Sequence, residues 1–249
     1  MNRKNLEIKR ITKTCCALMA SGMSKVCVPA VILERCLQMQ NADGGWVSVA
    51  DTVWNTCFLM QVDAIAYADR VASAEVYLNK NTNEEGLWGR SSRDMSRIPV
   101  TGLLLYLLPS LATPKRLQML EKLWISEIYS LTYKAAYTLM AFSKSEYVPV
   151  NLSIIDDTIR WLVENQRIDG GFAPWKEHPV ASDVFCTSVA VLGLLQYRNR
   201  VPIAVLSRSK EWLLANQLPS GIWAYHEIED GASFGLWALS ELSKISELQ

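Results

Sequence analysis

Several things are scarce in this chain of 249 residues, and each scarcity removes a class of function. Net charge is absent, because 25 basic and 25 acidic side chains cancel; no basic excess remains to neutralise nucleic-acid phosphates. Histidine occurs twice, as His178 and His226. No uninterrupted apolar run reaches the roughly 18 residues of a membrane span. The basic start leads into an apolar stretch that Lys13 interrupts, and no small-residue cleavage site follows it, so a secretory leader is not expected. Six cysteines (Cys15, Cys16, Cys27, Cys36, Cys57 and Cys186) form no C-x-x-C pair, and most sit in apolar surroundings where a thiol acts as a small hydrophobe. A reduced, cytoplasmic protein is expected. Glycine-rich phosphate loops, G-x-S-x-G elbows, H-E-x-x-H and D-D-x-x-D motifs are all missing.

What the chain has is hydrophobic residues, at 50%, and nine tryptophans. Indole is large enough that this number calls for a repeated packing role or a ring-lined cavity. A repeat is present. Cys36-Leu37 leads to Gln40, Gly44 and Trp46; Tyr77-Leu78 to Thr82, Gly86 and Trp88; Trp161-Leu162 to Gln166, Gly170 and Phe172; Trp212-Leu213 to Gln217, Gly221 and Trp223. The step from Gln40 to Thr82 is 42 residues and that from Thr82 to Gln166 is 84, twice as long. A degenerate copy is therefore expected near Leu123-Trp124. Each unit has room for two helices and a turn.

Before each template lies an amphipathic segment with apolar residues at three- and four-residue intervals: 29–38, 69–80, 114–126, 152–165 and 203–216. After each comes a segment that is apolar all round and rich in small residues: 53–66, 99–108, 131–142, 184–195 and 232–242, with 7–20 as a sixth. A helix apolar on every side is buried on every side. Five outer and six inner helices in alternation predict an all-α fold, an α/α toroid of helical-hairpin repeats of the α6/α6 type, spanning 1–249 as a single domain. The template Gly turns the chain at positive φ, and the Gln and aromatic residues tie consecutive repeats together.

The template, above all Trp161–Phe172 and Trp212–Trp223, resembles the QW motif of squalene and oxidosqualene cyclases, and more broadly the repeats of terpene cyclases and protein prenyltransferase β subunits. The resemblance runs over nearly the whole chain. It implies that inner-helix ends face a cavity. Three such starts carry an aspartate, Asp51, Asp183 and Asp230. Aspartate is a favoured helix cap, and a carboxyl in an apolar pocket is also a Brønsted acid able to protonate an alkene. These three are the candidate catalytic residues. In the family's D-x-D-D-T motif the register here is Val47-Ser-Val-Ala50-Asp51-Thr52, so the central, proton-giving aspartate corresponds to Ala50. Those cyclases hold substrate between two helical domains, and one is expected here. Asp156 and Asp157 begin an outer helix and are expected to cap it.

Aromatic residues on or near the inner helices are candidate substrate-binding residues: Trp54, Trp88, Tyr133, Tyr137, Trp175, Phe185, Phe234 and Trp237, with Tyr106 beside them. Ring faces attract cationic centres by about 0.5–2 kcal/mol each. Arg90, Arg93 and Arg97, with Lys134 and Lys176, could hold an anion at the mouth. His178 is expected in a loop, and His226 beside the acidic run Glu227, Glu229, Asp230. Resemblance to prenyltransferase β subunits would make Asp183, Cys186 and His226 zinc ligands, but the spacing departs from that pattern, and no metal or cofactor is expected. The leading expectation is a small terpene-cyclase-like enzyme acting on an isoprenoid or other apolar substrate by acid-initiated cyclisation or rearrangement. The alternatives are a β-subunit-like prenyltransferase needing a helical partner chain, and a non-catalytic toroid that binds a lipid or a protein. A homodimer and a peripheral membrane contact through apolar outer residues stay open.

Overall fold

A computed structural model describes residues 3–91, 93–128 and 130–245, with residues 3–7 described for their backbone alone; positions 1, 2, 92, 129 and 246–249 of the expected 1–249 span lie outside the described residues. Eleven α-helices follow in chain order: α1 (Arg3–Ala20), α2 (Ala30–Gln38), α3 (Val49–Asp63), α4 (Ala68–Lys80), α5 (Ile98–Leu107), α6 (Pro114–Glu127), α7 (Thr132–Lys144), α8 (Ile154–Asn165), α9 (Val184–Leu195), α10 (Ile203–Ala215) and α11 (Ile228–Ser243). The odd-numbered helices form the inner ring, each touching the next, and α11 closes on α1. The even-numbered helices lie outside them. This is the expected toroid with six inner and five outer helices, and no helix among the described residues is long and apolar enough to cross a membrane.

Burial follows composition. Every residue of α9 from Cys186 to Leu194 is buried, whereas α8 buries only one stripe. Small residues let the inner helices approach: a Cβ at Gly193 would stand 2.7 Å from Ala136 Cα, and one at Gly102 would stand 2.8 Å from the Tyr137 carbonyl oxygen.

The template explains how one hairpin is fixed to the next. After four of the five outer helices the chain turns tightly, with Gly44, Gly86, Gly170 and Gly221 at φ between 77° and 89°. At Gly170 a side chain would also meet Arg208 O at 2.5 Å, so both conformation and space require glycine there. The aromatic residue then folds back. The indole N–H of Trp46 donates to Cys36 O at 3.0 Å, that of Trp88 to Leu78 O at 2.8 Å, and that of Trp223 to Leu213 O at 2.8 Å. Each acceptor lies in the last turn of an outer helix, whose carbonyls have no partner within the helix. The glutamine reaches the other way. Gln40 Nε2 donates to Gly44 O and to Arg70 O on α4, and Gln166 Nε2 to Gly170 O, Val205 O and Ser209 Oγ, the last two on α10.

The second template has Thr82 in place of Gln, and its hydroxyl turns back onto its own helix at Asn79 O. Arg116 of α6 supplies the missing link from the opposite side. Its guanidinium donates to Gly86 O at 3.2 Å, Leu111 O at 2.9 Å and Asn79 Oδ1 at 2.8 Å, and lies 4.6 Å from the Trp88 ring centre. Near residue 124 no glycine turn is available. Trp124 stays inside α6 and bridges to Thr158 Oγ1 on α8 at 2.8 Å.

Because the amide of Gln166 serves three acceptors across the joint, Gln166→Ala should cost about 1–3 kcal/mol. Thr82→Ala, which removes one contact within a single helix, should cost clearly less. Urea denaturation of the two variants side by side checks this, and equal losses would count against the joint.

Candidate active site

Inner-helix starts gather at one end of the ring and surround a hollow. Its apolar part, about 200 Å³, is walled by Ala50, Val53 and Trp54 of α3, Pro99, Val100, Leu103 and Leu104 of α5, Tyr133 and Tyr137 of α7, and Phe185 of α9. Five of these, Ala50, Trp54, Leu103, Tyr137 and Phe185, also wall a mouth of about 280 Å³ to which Phe234, Lys9, Arg10, Lys13, Glu227, Glu229 and Asp230 contribute. Pro99, Val100 and Tyr133 are shared with a polar groove of about 480 Å³ that holds Arg90, Arg97, Glu127 and Lys134. Through their shared walls the apolar chamber and the charged mouth together reach the size of small-molecule sites, which start near 300 Å³.

The rings form a continuous wall. Phe234 lies 5.3 Å from Phe185, 6.2 Å from Trp54 and 6.3 Å from Trp237; Phe185 lies 6.1 Å from Tyr133 and 5.8 Å from Tyr225; Tyr106 lies 6.0 Å from Trp237. Trp237 and Tyr106 face a further hollow of about 160 Å³ at the opposite end of the inner helices. Burial pushes the Tyr137 and Tyr225 hydroxyls well above their ordinary range, and Tyr106 to about 12. All three remain neutral and add to the apolar character of the walls.

Besides Trp237, two of the expected aromatic residues stand away from the chamber. Trp88 is fully buried in the joint between repeats, bonded to Leu78 O and covered by Arg116. Its place is fixed by the template rather than by the ring of inner helices. Trp175 is 41% exposed in the loop before α9, edge-on to His178 at 4.2 Å. Arg167 holds that loop through the carbonyls of Lys176, His178 and Val180.

The three aspartates are not equivalent. Inner helices α3 and α11 start four residues before the expected 53 and 232, because Ser48 caps α3 by accepting from Asp51 N and Glu227 stands at the cap of α11. Asp51 and Asp230 are therefore inside the first turn, and only Asp183 is a cap, with Oδ1 accepting from Cys186 N at 2.7 Å. Asp51 is buried and takes a hydrogen bond from the Ser48 hydroxyl on Oδ2, while Oδ1 has no partner among the described residues. Its neighbour Ala50 is the residue at the chamber wall. Of the three, Asp230 lines the mouth, in an ion pair with Lys13, next to Arg10–Glu229 at 2.7 Å.

The basic residues divide in the same way. Arg90, Arg97 and Lys134 share the polar groove, but Arg97 is paired with Asp94 at 2.6 Å and Lys134 with Glu127. Arg93 faces a separate surface hollow with Glu84, Glu85 and Asp94, and Lys176 is exposed. Among the described residues no three His, Cys, Asp or Glu side chains converge as a metal site. Asp183 is engaged as a cap, burial pushes the Cys186 thiol far up, and His226 leans on Tyr225 with ring centres 4.2 Å apart; the trio does not fit zinc.

Two features were not among the sequence candidates. Thr52, Thr101 and Thr187, each the fourth residue of its inner helix, accept from the backbone N–H of Trp46, Trp88 and Phe172 and so hold each template against its helix. A threonine at the fourth position of three inner helices was the available signal. The other is Lys13, 5% exposed. Burial lowers its pKa to about 8, with repulsion from Lys9 adding to this and attraction by Glu229 and Glu227 opposing it.

The sequence matches no family model and no curated protein. Solved structures do share the fold. The type II terpene cyclase MstE from Scytonema superposes with a TM-score of 0.68 at 15% identity, covering 97% of this chain and 89% of that one; a variant bound to its substrate, geranylgeranyl dihydroxybenzoate, gives 0.70 at 14% over 95% and 88%. The ent-copalyl diphosphate synthase from Streptomyces platensis gives 0.70 at 16% identity, over 95% of this chain and 50% of that one. A family 105 glycoside hydrolase from C. acetobutylicum also superposes, at 0.61 and 11% identity, over 95% and 94%. The fold is thus that of the terpene-cyclase toroid. A type II terpene cyclase of nearly this length removes the expectation that such an enzyme needs two helical domains.

The Lys13 shift has a defined pH signature. Below about 8 both states hold the proton; between about 8 and the ordinary 10.5 the unfolded chain binds more protons than the folded one, so this residue's contribution to stability rises with pH across that interval. In Lys13→Arg the side chain stays charged throughout. Denaturation midpoints measured against pH should therefore separate in favour of the unaltered protein as pH climbs through 8, and parallel curves would contradict the assignment.

Proposed function

We propose that this chain is a small terpene-cyclase-like protein that lodges an isoprenoid chain in the apolar chamber, keeps the polar end at the charged mouth, and cyclises or rearranges it through cationic intermediates. The observation that carries the reading is the chamber itself: a closed ring of inner helices around a hollow walled by Trp54, Tyr133, Tyr137, Phe185 and Phe234. Such walls favour two things, an apolar guest and a positive charge passing over ring faces. Binding of geranylgeranyl dihydroxybenzoate by MstE, on the same fold, agrees with a guest of this kind.

The acid in this reading is Asp230, since of the three candidate carboxyls it stands at the mouth. An ammonium in contact favours a carboxylate over a carboxylic acid, so a guest must loosen the Lys13–Asp230 pair before Asp230 can give a proton. Asp183 and Asp51 are assigned to holding α9 and α3. That same pair, with Ala50 on the chamber wall in place of an acid, supports a second reading: a toroid that binds an isoprenoid without transforming it.

Incubation with farnesyl and geranylgeranyl diphosphates and with the corresponding alcohols, followed by mass spectrometry of extracted hydrocarbons, separates the two. Cyclic products that fall by about 100-fold or more in Asp230→Asn are expected for the first reading. Bound but unchanged substrate would establish the second. Ala50→Trp, which fills the chamber, should abolish binding under either, and undiminished binding in that folded variant would place the guest elsewhere.

A further inference from the structure

Lys13 is the one buried lysine among the described residues, and acid-initiated chemistry gives it no role beyond pairing. Its place is unusual. It sits on α1 where that helix completes the ring, and its side chain reaches the mouth of the chamber beside Ala50, Trp54 and Phe234. Taking an ammonium out of water is costly even when it is paired, and apolar residues at this seam would close the ring without that cost. Among the described residues two amines line the mouth, Lys9 and Lys13, and Lys13 is the more buried of the two, while Arg10 is occupied by Glu229.

We propose that Lys13 is a covalent binding site for the carbonyl end of an apolar aldehyde whose chain occupies the chamber, joined to it as a protonated imine with Asp230 as counter-ion. The inference rests on the chamber accepting an isoprenoid chain, but does not depend on cyclisation. Amines become nucleophilic in proteins when desolvated or set beside another cation, and both conditions hold here, with Lys9 and Arg10 on the same helix. Facing charges are Glu229 and Asp230 from α11 and Glu227 at its cap, while among the described residues α3, α5, α7 and α9 present no charged group to the mouth.

The step balances within the pair. Asp230 takes one proton from the Lys13 ammonium, and the free amine adds to the carbonyl carbon, forming C–N as the C=O π bond breaks. A nitrogen proton passes to oxygen to give the carbinolamine. Asp230 returns its proton to the departing hydroxyl, water leaves, and the protonated imine faces the Asp230 carboxylate. One aldehyde and one ammonium yield one iminium and one water, with no change of oxidation state.

Farnesal with cyanoborohydride tests it, read by intact mass and peptide mapping of the full chain. The expected result is one reduced adduct per chain on the Lys13 peptide, favoured over any surface lysine by about tenfold or more because the seated chain raises the local aldehyde concentration. Excess farnesol should suppress it, and Lys13→Arg, which keeps the pair with Asp230, should lose it while folding normally by circular dichroism. Butanal, too short to be held by the chamber, should label lysines without preference. Adducts spread over surface lysines overturn the proposal, as does farnesal that quenches the chamber tryptophan yet leaves Lys13 unmodified. Failure of farnesol itself to quench would instead overturn the chamber as an isoprenoid site, so the two failures are told apart.

Discussion

The joint between repeats is the constraint on which everything else rests. An amphipathic outer helix and an apolar inner one will pair in many orientations, because apolar contact has no direction. Five such pairs and the inner helix α1 close into a ring only if each pair is set at nearly the same angle to the next. Directional bonds provide that angle. The indole N–H of Trp46, Trp88 and Trp223 takes up a carbonyl at the end of its own outer helix, and Gln40 and Gln166 take up carbonyls at the start of the next. The indole bonds thereby spend carbonyls that would be unsatisfied at helix C-termini on fixing geometry. The Thr at the fourth position of α3, α5 and α9 adds the link from template to inner helix.

A hollow then follows from curvature rather than from weak packing. On the side where Gly102, Ala136 and Gly193 meet, α5, α7 and α9 pack backbone to backbone. Close approach on one side and large rings on the other, Trp54, Phe185 and Phe234, leave space near Ala50 that no side chain fills. Such a void is affordable because the rings around it keep contacts with one another at 5–6 Å. The same rings are the feature that suits the space to a hydrocarbon guest.

Architecture was legible in the sequence because it is written in repetition. Period, glycine position and the difference between one-sided and all-round hydrophobicity are local quantities, and they located the helices to within a few residues. Sites were less legible. Trp54 and Trp88 look alike as letters on or near inner helices, but one faces the hollow and the other the joint; only the template register tells them apart. The aspartates misled for a related reason. Asp51, Asp183 and Asp230 look like three caps in register, yet Ser48 starts α3 a turn earlier, which turns Ala50 rather than Asp51 toward the chamber. Arg116 could not be paired with the missing glutamine of the second template from sequence, since it acts from 34 residues downstream of Thr82.

The fold by itself does not choose a chemistry, as a glycoside hydrolase on the same toroid makes plain. In the proposed reading the choice sits at the seam where the first and last inner helices meet. Sealing a ring requires only apolar contact, yet α1 and α11 meet through Lys13–Asp230 and Arg10–Glu229. Asp230 gains from its position in the first turn of α11, where the helix dipole favours a negative charge. Lys13 has no such compensation and pays for its burial with a lowered pKa. A seam built in this way holds its register at rest, since a one-turn slip would leave a buried charge unpaired. It also places an ammonium–carboxylate pair at the threshold of an apolar chamber, where the proposed reading needs a proton and an amine for the polar end of a hydrocarbon chain.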